Sequence, residues 1–492
     1  MSTTIKLANF GPIRYGEISL GDLTVLFGYP NTGKTYTVKA LYSMYYALEV
    51  IRNVLSFDIE YLYKALETIG NRQFTEKLYK VVDDIKSLAR EGVSGVKKFI
   101  ITTRVSEHRT ALLDVINIAL SNSFRSVFGD YGMYLLRGSK LVITNNKYVL
   151  VIDKGVVKEI VYPLDTVLNE EITVNYRDGL VDFMELGIVY TVDDLVNTSS
   201  DELVCTIYSH IIKDLATWFI KNLVGGKWIY IPYGRSQIVQ LVSSLLHTLK
   251  PSERSVLQKY ILSNGSWFVK PTVIASRYIE YFMKGSIEFS SRDNSIGSFI
   301  RNFIEKIIGG RIYVELDKTT SIPISYKYIF NGESIDMYNA SAFISEVSGL
   351  LIPLYAVYPS DIVIIEEPEA QLHPKLQRIM AWIIAYVSSL GTRVIITTHS
   401  DYLLTELCIV SMVVKKRLYD IGANILSELA NIDNSLAKDI VRSIIKKKLC
   451  IKNYLFKHDG VSEVDTEKLL IEIPTTTEAL REQLRHIALT TE

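Results

Sequence analysis

The chain has 492 residues, is 48% hydrophobic, and carries 54 basic against 54 acidic side chains, for a formal net charge of zero. A neutral chain has no global basic field to gather nucleic acid, so such a partner needs a local patch. Three cysteines, Cys205, Cys408 and Cys450, lie far apart and form no C-x-x-C pair, which argues against a disulfide framework or a zinc site and for a reducing compartment.

The opening "MSTTIKLANF" has no basic segment leading into an apolar one, so no signal peptide is expected. The most apolar stretch, "SGLLIPLYAVYPSDIVII", is broken by prolines and an aspartate, so no membrane span is expected and a cytoplasmic protein is. "TIKLANFGPI" and "GEISLGDLTVLFG" read as strands. From Thr35 to about Ile69 the pattern turns helical, and Gly70, Gly92 and Gly95 then cut amphipathic helices into short pieces up to about Phe128. Residues 140–195 show β-branched alternation with "NN" and "DKG" turns, the pattern of a meander of strands. Helix returns around 203–223, and "KWIYIPYGRS" reads as a buried strand ending in a turn. Residues 252–308 are mostly helical, and "RIYVELDKTTSIPISYKYIFNGESI" is a strand pair. The remainder alternates: helix over 342–357, strand at 361–366, helix from Pro374, strand at 393–398, helix from Asp401. That alternation predicts a parallel α/β sheet.

Three segments carry chemistry. "GYPNTGKT", Gly28 to Thr35, lies between an apolar strand and a helix, where a G-x-x-x-x-G-K-T loop cradles phosphate oxygens on its backbone N–H groups. Gly28 and Gly33 allow the turn and the close approach, and Asn31 and Thr32 complete the loop. In such a loop Lys34 would reach the β- and γ-phosphates and the Thr35 hydroxyl would ligate Mg²⁺. The bland alternative is a surface turn before a helix. "DIVIIEEPEAQLHP" runs four apolar residues into two carboxylates. Glu366 at the strand tip suits a metal-bound water, and Glu367 can polarise an attacking water. A solvated acidic helix start fits less well, because the pair sits at the rim of a core. "RVIITTHS" ends in His399, which can hydrogen-bond a γ-phosphate, although a lone histidine is more often structural.

Together these segments resemble the ABC-type ATPase heads of the SMC, RecF and OLD group. "NFGPI…GEISLGDLTVLFGYPNTGKT" looks like that group's N-terminal strands and Walker A, "IIEEPEAQLHP" like its Walker B and D-loop, and "ITTHSDYLL" like its histidine switch. "YIPYGRS" and "ASAFISEVSGLL" stand where members carry similar segments. The resemblance covers 1–45, 227–240 and 335–410. It implies a P-loop NTPase fold of ABC/SMC-head type: a mixed α/β sheet with an antiparallel β lobe and helical insertions between Walker A and Walker B. It implies an ATPase core over 1–45, 227–250 and 311–411, an inserted helical and meander region over 46–226, a short helical insertion over 251–310, and a C-terminal α/β extension over 412–492. It also implies ATP and Mg²⁺ as cofactors, Glu367 and His399 as catalytic groups, and Ser345 from the opposite subunit capping the nucleotide, with Ser341 or Ser348 as alternatives. Glu366 stands where aspartate is usual.

Glycines and prolines interrupt every helical stretch between Lys34 and Glu366, so no long coiled-coil arm is expected. Residues 415–457 carry ten basic and four acidic side chains, residues 458–492 three basic and eight acidic, and residues 72–109 nine basic and five acidic. Such runs are either solvated helix faces or sequence-independent contacts to a phosphate backbone. The expected function is an SMC-like ATPase that forms a homodimer on ATP and acts on DNA in chromosome organisation or maintenance. A small archaeal chromosome organiser of the coalescin kind would fit the short arm. The alternatives are an antiviral defence ATPase that licenses a separate nuclease, and an ATP-binding module with vestigial hydrolysis. The expected location is the cytoplasm, on the chromosome, with a further protein partner allowed.

Overall fold

The computed structural model describes residues 3–53, 72–163, 166–184, 186, 188–248, 273–291, 305, 308–317 and 323–466. The chain divides into two compact units, one of 43–125 and 133–225, the other of 2–42, 126–132 and 226–492. Much of the helical insertion expected over 251–310, the helix expected beyond residue 53 and the acidic tail after 466 lie outside the described residues.

The chain opens with β1 (Thr3–Phe10), β2 (Ile13–Ser19) and β3 (Leu23–Gly28). β1 and β2 form an antiparallel hairpin with half-buried alternation. β3 is buried at every position before its last, as a strand covered on both faces must be. The helix Lys34–Asn53 follows directly.

The first unit holds β4 (Gly95–Arg104), β5 (Lys140–Asn145), β6 (Tyr148–Asp153), β7 (Val156–Val161), β8 (Val167–Arg177), β9 (Leu180–Phe183) and β10 (Ile188–Thr191). β5, β6 and β7 are the expected meander, paired antiparallel in sequence order. β4 corrects the reading of helical pieces before Phe128. It pairs antiparallel with β8 along its whole length, because "FIITTR" alternates and β-branched residues prefer a pleated surface. The helix Ser200–Val224 is capped by the Ser199 hydroxyl accepting from Glu202 N–H. By length and composition it could cross a membrane, but most of its apolar side chains are buried inside the unit.

The second unit continues with β11 (Trp228–Ile231), β12 (Arg311–Leu316), β13 (Pro323–Phe330), β14 (Glu333–Asp336), β15 (Ile362–Glu366), β16 (Arg393–Thr398), β17 (Ile451–Lys457) and β18 (Gly460–Val464). The strand pair expected after Arg311 is a three-stranded sheet, since "GESI" turns back as β14. The central sheet has the order β11-β15-β16-β3-β17-β18, parallel except for the final hairpin. β17, placed by the sequence in a C-terminal extension, therefore runs beside β3. The helices Pro374–Ser389 and Asp401–Lys416 follow β15 and β16. They are joined by the buried Glu406, which accepts from Arg378 Nε at 2.7 Å and from Trp382 Nε1 at 2.8 Å.

Candidate functional site

The register aligns Glu366 with Thr397 and Thr398 with Phe27, so the C-terminal ends of β15, β16 and β3 lie side by side. Gly28, the carboxylates Glu366 and Glu367, and His399 are therefore brought to one edge of one sheet. In an open α/β sheet this edge is where ligands bind.

The loop after β3 is shaped by its glycines. Gly28 has φ +124°, and a Cβ there would fall 2.3 Å from the Phe456 carbonyl of β17. Gly33 has φ +103°, and a Cβ would fall 2.5 Å from Ile13 Cγ1 on β2. A larger residue at Gly28 would have to displace the β17 backbone, and one at Gly33 the Ile13 side chain, in both cases at a φ that favours glycine. Asn31 adopts φ +58° and is exposed, and the Thr32 hydroxyl donates to Tyr29 O at 2.7 Å. Lys34 is only 4% exposed, and its Nζ donates to Gly28 O at 3.0 Å and Tyr29 O at 2.6 Å. An ammonium has three donors, so one remains for a ligand in the loop. Burial pushes Lys34 down to about 8, opposed by the Glu367 and Glu369 carboxylates.

Glu366 ends β15 buried, its Oε2 accepting from Tyr233 N–H at 3.2 Å. Glu367 lies in the left-handed region at φ +44°, a conformation costing about 1–3 kcal/mol for such a residue. Its N–H still donates to Thr397 O at 2.9 Å, so it leaves the strand with one last ladder bond. Burial raises the Glu367 carboxyl above the ordinary range; the Glu369 and Glu366 charges add to this, and Lys34 and Arg235 oppose it. His399 Nε2 stands 3.9 Å from Glu367 Oε1. Burial pushes the imidazole below its ordinary value, as does the Lys34 charge, while a hydrogen bond with the Gly28 backbone opposes both.

Two groups at this edge were missed by sequence reasoning. Glu369 is 9% exposed, and its Oε1 accepts from the Thr398 hydroxyl at 2.7 Å and from His399 N–H at 2.8 Å, while Oε2 has no partner among the described residues. Arg235 is fully buried and donates to Pro232 O, Glu366 O and Glu367 O at 3.0, 2.7 and 2.9 Å. Its counter-charge is Glu346, 2.6 Å away and 2% exposed. A signal was present in both cases: an acidic residue two positions beyond the carboxylate pair, and single opposite charges inside the otherwise apolar "IPYGRS" and "FISEVSGLL".

Ser345 does not fit the role given to it. It is fully buried on the helix Ala342–Leu351, its Oγ without a partner among the described residues, so its side chain is not at a surface that a second subunit could meet. Ser348 is equally buried and donates to Ile344 O at 2.6 Å. Residues 344–351 are buried throughout, with Glu346 paired to the equally buried Arg235. Ser341 is exposed and caps the helix, accepting from Ile344 N–H.

A pocket of about 360 Å³ is lined by Thr35, Lys39, Pro232, Tyr233, Ile238, Ile274, Ala275, Glu366 and Glu367. The Thr35 hydroxyl and the Glu366 carboxylate, which both line this pocket, are hard oxygen donors of the kind Mg²⁺ prefers. Among the described residues no cluster of three or more His, Cys, Asp or Glu could hold a metal. A metal here would need phosphate oxygens as further ligands, the usual arrangement for Mg²⁺ with a nucleotide.

Residues 290–404 match the family model of the AAA ATPase domain. No curated protein matches the chain. Among solved structures, the chain is similar to an SMC head bound to the C-terminal winged-helix domain of ScpA, with 11% identity, 95% of this chain and 99% of that chain covered, and a TM-score of 0.35. It is similar also to the SMC head domain from Thermotoga maritima, with 8% identity, coverage of 94% and 99%, and a TM-score of 0.30. An SMC head with an extended coiled coil, bound to the C-terminal domain of ScpA and derived from Pyrococcus furiosus, gives 12% identity, coverage of 98% and 99%, and a TM-score of 0.33. The chain is an α/β protein in which residues 290–404 match an AAA ATPase domain model, and the sheet that holds β15 and β16 also holds β3, which leads into the glycine-bearing loop of residues 28–35.

Proposed function

We propose that the protein binds and hydrolyses ATP with Mg²⁺, closes as a homodimer around the nucleotide, and in that form binds DNA as an SMC-like head. The observation that supports the ATPase reading best is the convergence of Lys34, Glu366, Glu367 and His399 at adjacent ends of three parallel strands. In this reading the loop N–H groups and Lys34 hold the β- and γ-phosphates. Thr35 and Glu366 hold the metal, which when bound neutralises phosphate charge. Glu367, a carboxylate whose proton affinity burial has raised, takes the proton of the attacking water. His399 marks the γ-phosphate end. Glu366 and Glu367 line the pocket, so their charge opposes a bare polyphosphate and binding should require Mg²⁺.

For the dimer, exposed Ser341 at its helix start replaces Ser345 as the group that meets the partner's nucleotide. For DNA, the basic residues lie on the surface. Lys415, Lys416 and Arg417 end one helix, and Lys446, Lys447 and Lys448 end another. Both triplets also complement the negative ends of their helices, a structural use of the same charge. The test is light scattering and duplex binding with the Glu367→Gln protein. ATP and Mg²⁺ should double its mass and raise DNA affinity, with binding falling steeply as salt rises. A closed dimer without DNA affinity at low salt contradicts the DNA role, and a monomer at saturating ATP contradicts the sandwich.

A further inference from the structure

We propose that Arg235 is a positioning residue for hydrolysis, holding the backbone of Glu366 and Glu367 so that the Glu367 carboxylate is aimed into the site. The inference rests on the ATPase reading above and deepens it.

The need for such a residue follows from the sheet. β11 pairs with β15 from Trp228–Ile362 to Ile231–Ile365 and then stops. The next residue of the β11 chain is Pro232, which has no N–H to continue the ladder. The carbonyls of buried Glu366 and half-buried Glu367 therefore pass beyond the β11 strand, where an unpaired carbonyl is costly, most of all at Glu366. The Arg235 guanidinium takes over from the missing strand: Nη1 donates to Glu366 O and Nη2 to Glu367 O. Nη1 also donates to Pro232 O, which fixes the fork to the turn that carries it. At the far side Glu346 balances the charge, and its Oε2 accepts from Ser236 N–H at 3.2 Å.

What is held in this way is the strained residue. Glu367 sits at φ +44°, a conformation that persists only where its surroundings over-determine it. The N–H to Thr397 O fixes one side of the peptide chain, and Arg235 fixes the carbonyls on the other. A lysine could not replace this fork, because a single ammonium lacks the planar donors that span two carbonyls and a carboxylate at once.

Removing Arg235 or Glu346 alone leaves a buried unpaired charge, so a fold defect would obscure the result. The test therefore combines Arg235→Met with Glu346→Met, which keeps volume and removes both charges, and adds Arg235→Lys. In the folded double variant, MgATP affinity by calorimetry should stay within about threefold of the parent. kcat should fall on the order of 10²-fold, the scale of a misplaced catalytic group, with little change in KM. Arg235→Lys should not restore kcat, as it would if charge balance alone mattered. A second readout needs no turnover: the peptide spanning residues 365–370 should exchange amide hydrogens on the order of tenfold faster in Arg235→Lys, with that of 393–398 unchanged. If the double variant does not fold, Arg235→Lys decides by both readouts. If the parent itself hydrolyses no ATP, the ATPase reading fails, and hydrogen exchange alone judges the positioning. A folded variant with kcat within about threefold of the parent and unchanged exchange overturns the proposal.

Discussion

The Glu369 carboxylate accepts the backbone N–H of His399 at 2.8 Å, tying the turn after β15 to the end of β16. The same oxygen accepts the Thr398 hydroxyl, so two residues of the β16 end depend on one buried side chain. Glu369→Ala should cost about 1–3 kcal/mol in chemical denaturation, since it strands a buried donor. It should also lower turnover more than ATP affinity, because His399 loses its anchor. A variant as stable as the parent, with equal turnover, would show that the anchor is dispensable.

ATP affinity should weaken above about pH 8. Lys34 in the free protein is held down to about 8. A bound polyphosphate favours the charged ammonium, so binding above that pH takes up a proton, and affinity falls by up to about tenfold per pH unit. Calorimetry in two buffers of different ionisation enthalpy reads the uptake directly. Folding shows the opposite sign. Between about 8 and the ordinary 10.5 the unfolded chain binds more protons, so the cost of burying this lysine is relieved as pH rises through that window. Affinity independent of pH between 7.5 and 9.5 would remove Lys34 from the phosphate site.

Ser341→Arg and Ser345→Arg should behave differently. At exposed Ser341 the arginine adds bulk and charge at the surface, so the protein should fold and bind ATP but fail to form the ATP-dependent dimer by light scattering. At fully buried Ser345 the same change puts an unpaired charge in the core, and the protein should not fold. A folded Ser345→Arg protein that dimerises on ATP would contradict the burial argument, and a closing Ser341→Arg protein would place the shared face elsewhere.

The parts of the site that could be read from sequence share one physical form. "TVLFG", "IVIIEE" and "VIITTHS" are continuous apolar runs that end in polar residues, as a strand buried on both faces ends at a functional edge. Arg235 was only half legible: its lone charge in "IPYGRS" is a signal, but no periodicity marks an arginine as buried, and only the segments that hold Arg235 and Glu346, once folded together, show why each carries one. Ser345 was misread for the reverse reason. The similarity of "ASAFISEVSGLL" to family segments suggested a surface contact, but residues 344–351 of the helix Ala342–Leu351 are all buried, its polar Ser345, Glu346 and Ser348 included, so its centre is core. β4 was hidden by the exposed Lys97 and Lys98 and by helical neighbours, and its strand character comes from a partner some 70 residues away in β8. Likewise β17 reads as an isolated half-polar segment until it is seen beside β3.

Steady-state phosphate release from MgATP by the purified protein, with Glu367→Gln measured beside it, tests the central claim most directly. The amide is nearly isosteric and cannot accept a proton, so the variant should bind ATP as the parent does and turn it over about 10²–10⁴-fold more slowly. Turnover by Glu367→Gln equal to that of the parent, in a protein that binds ATP, would contradict the account.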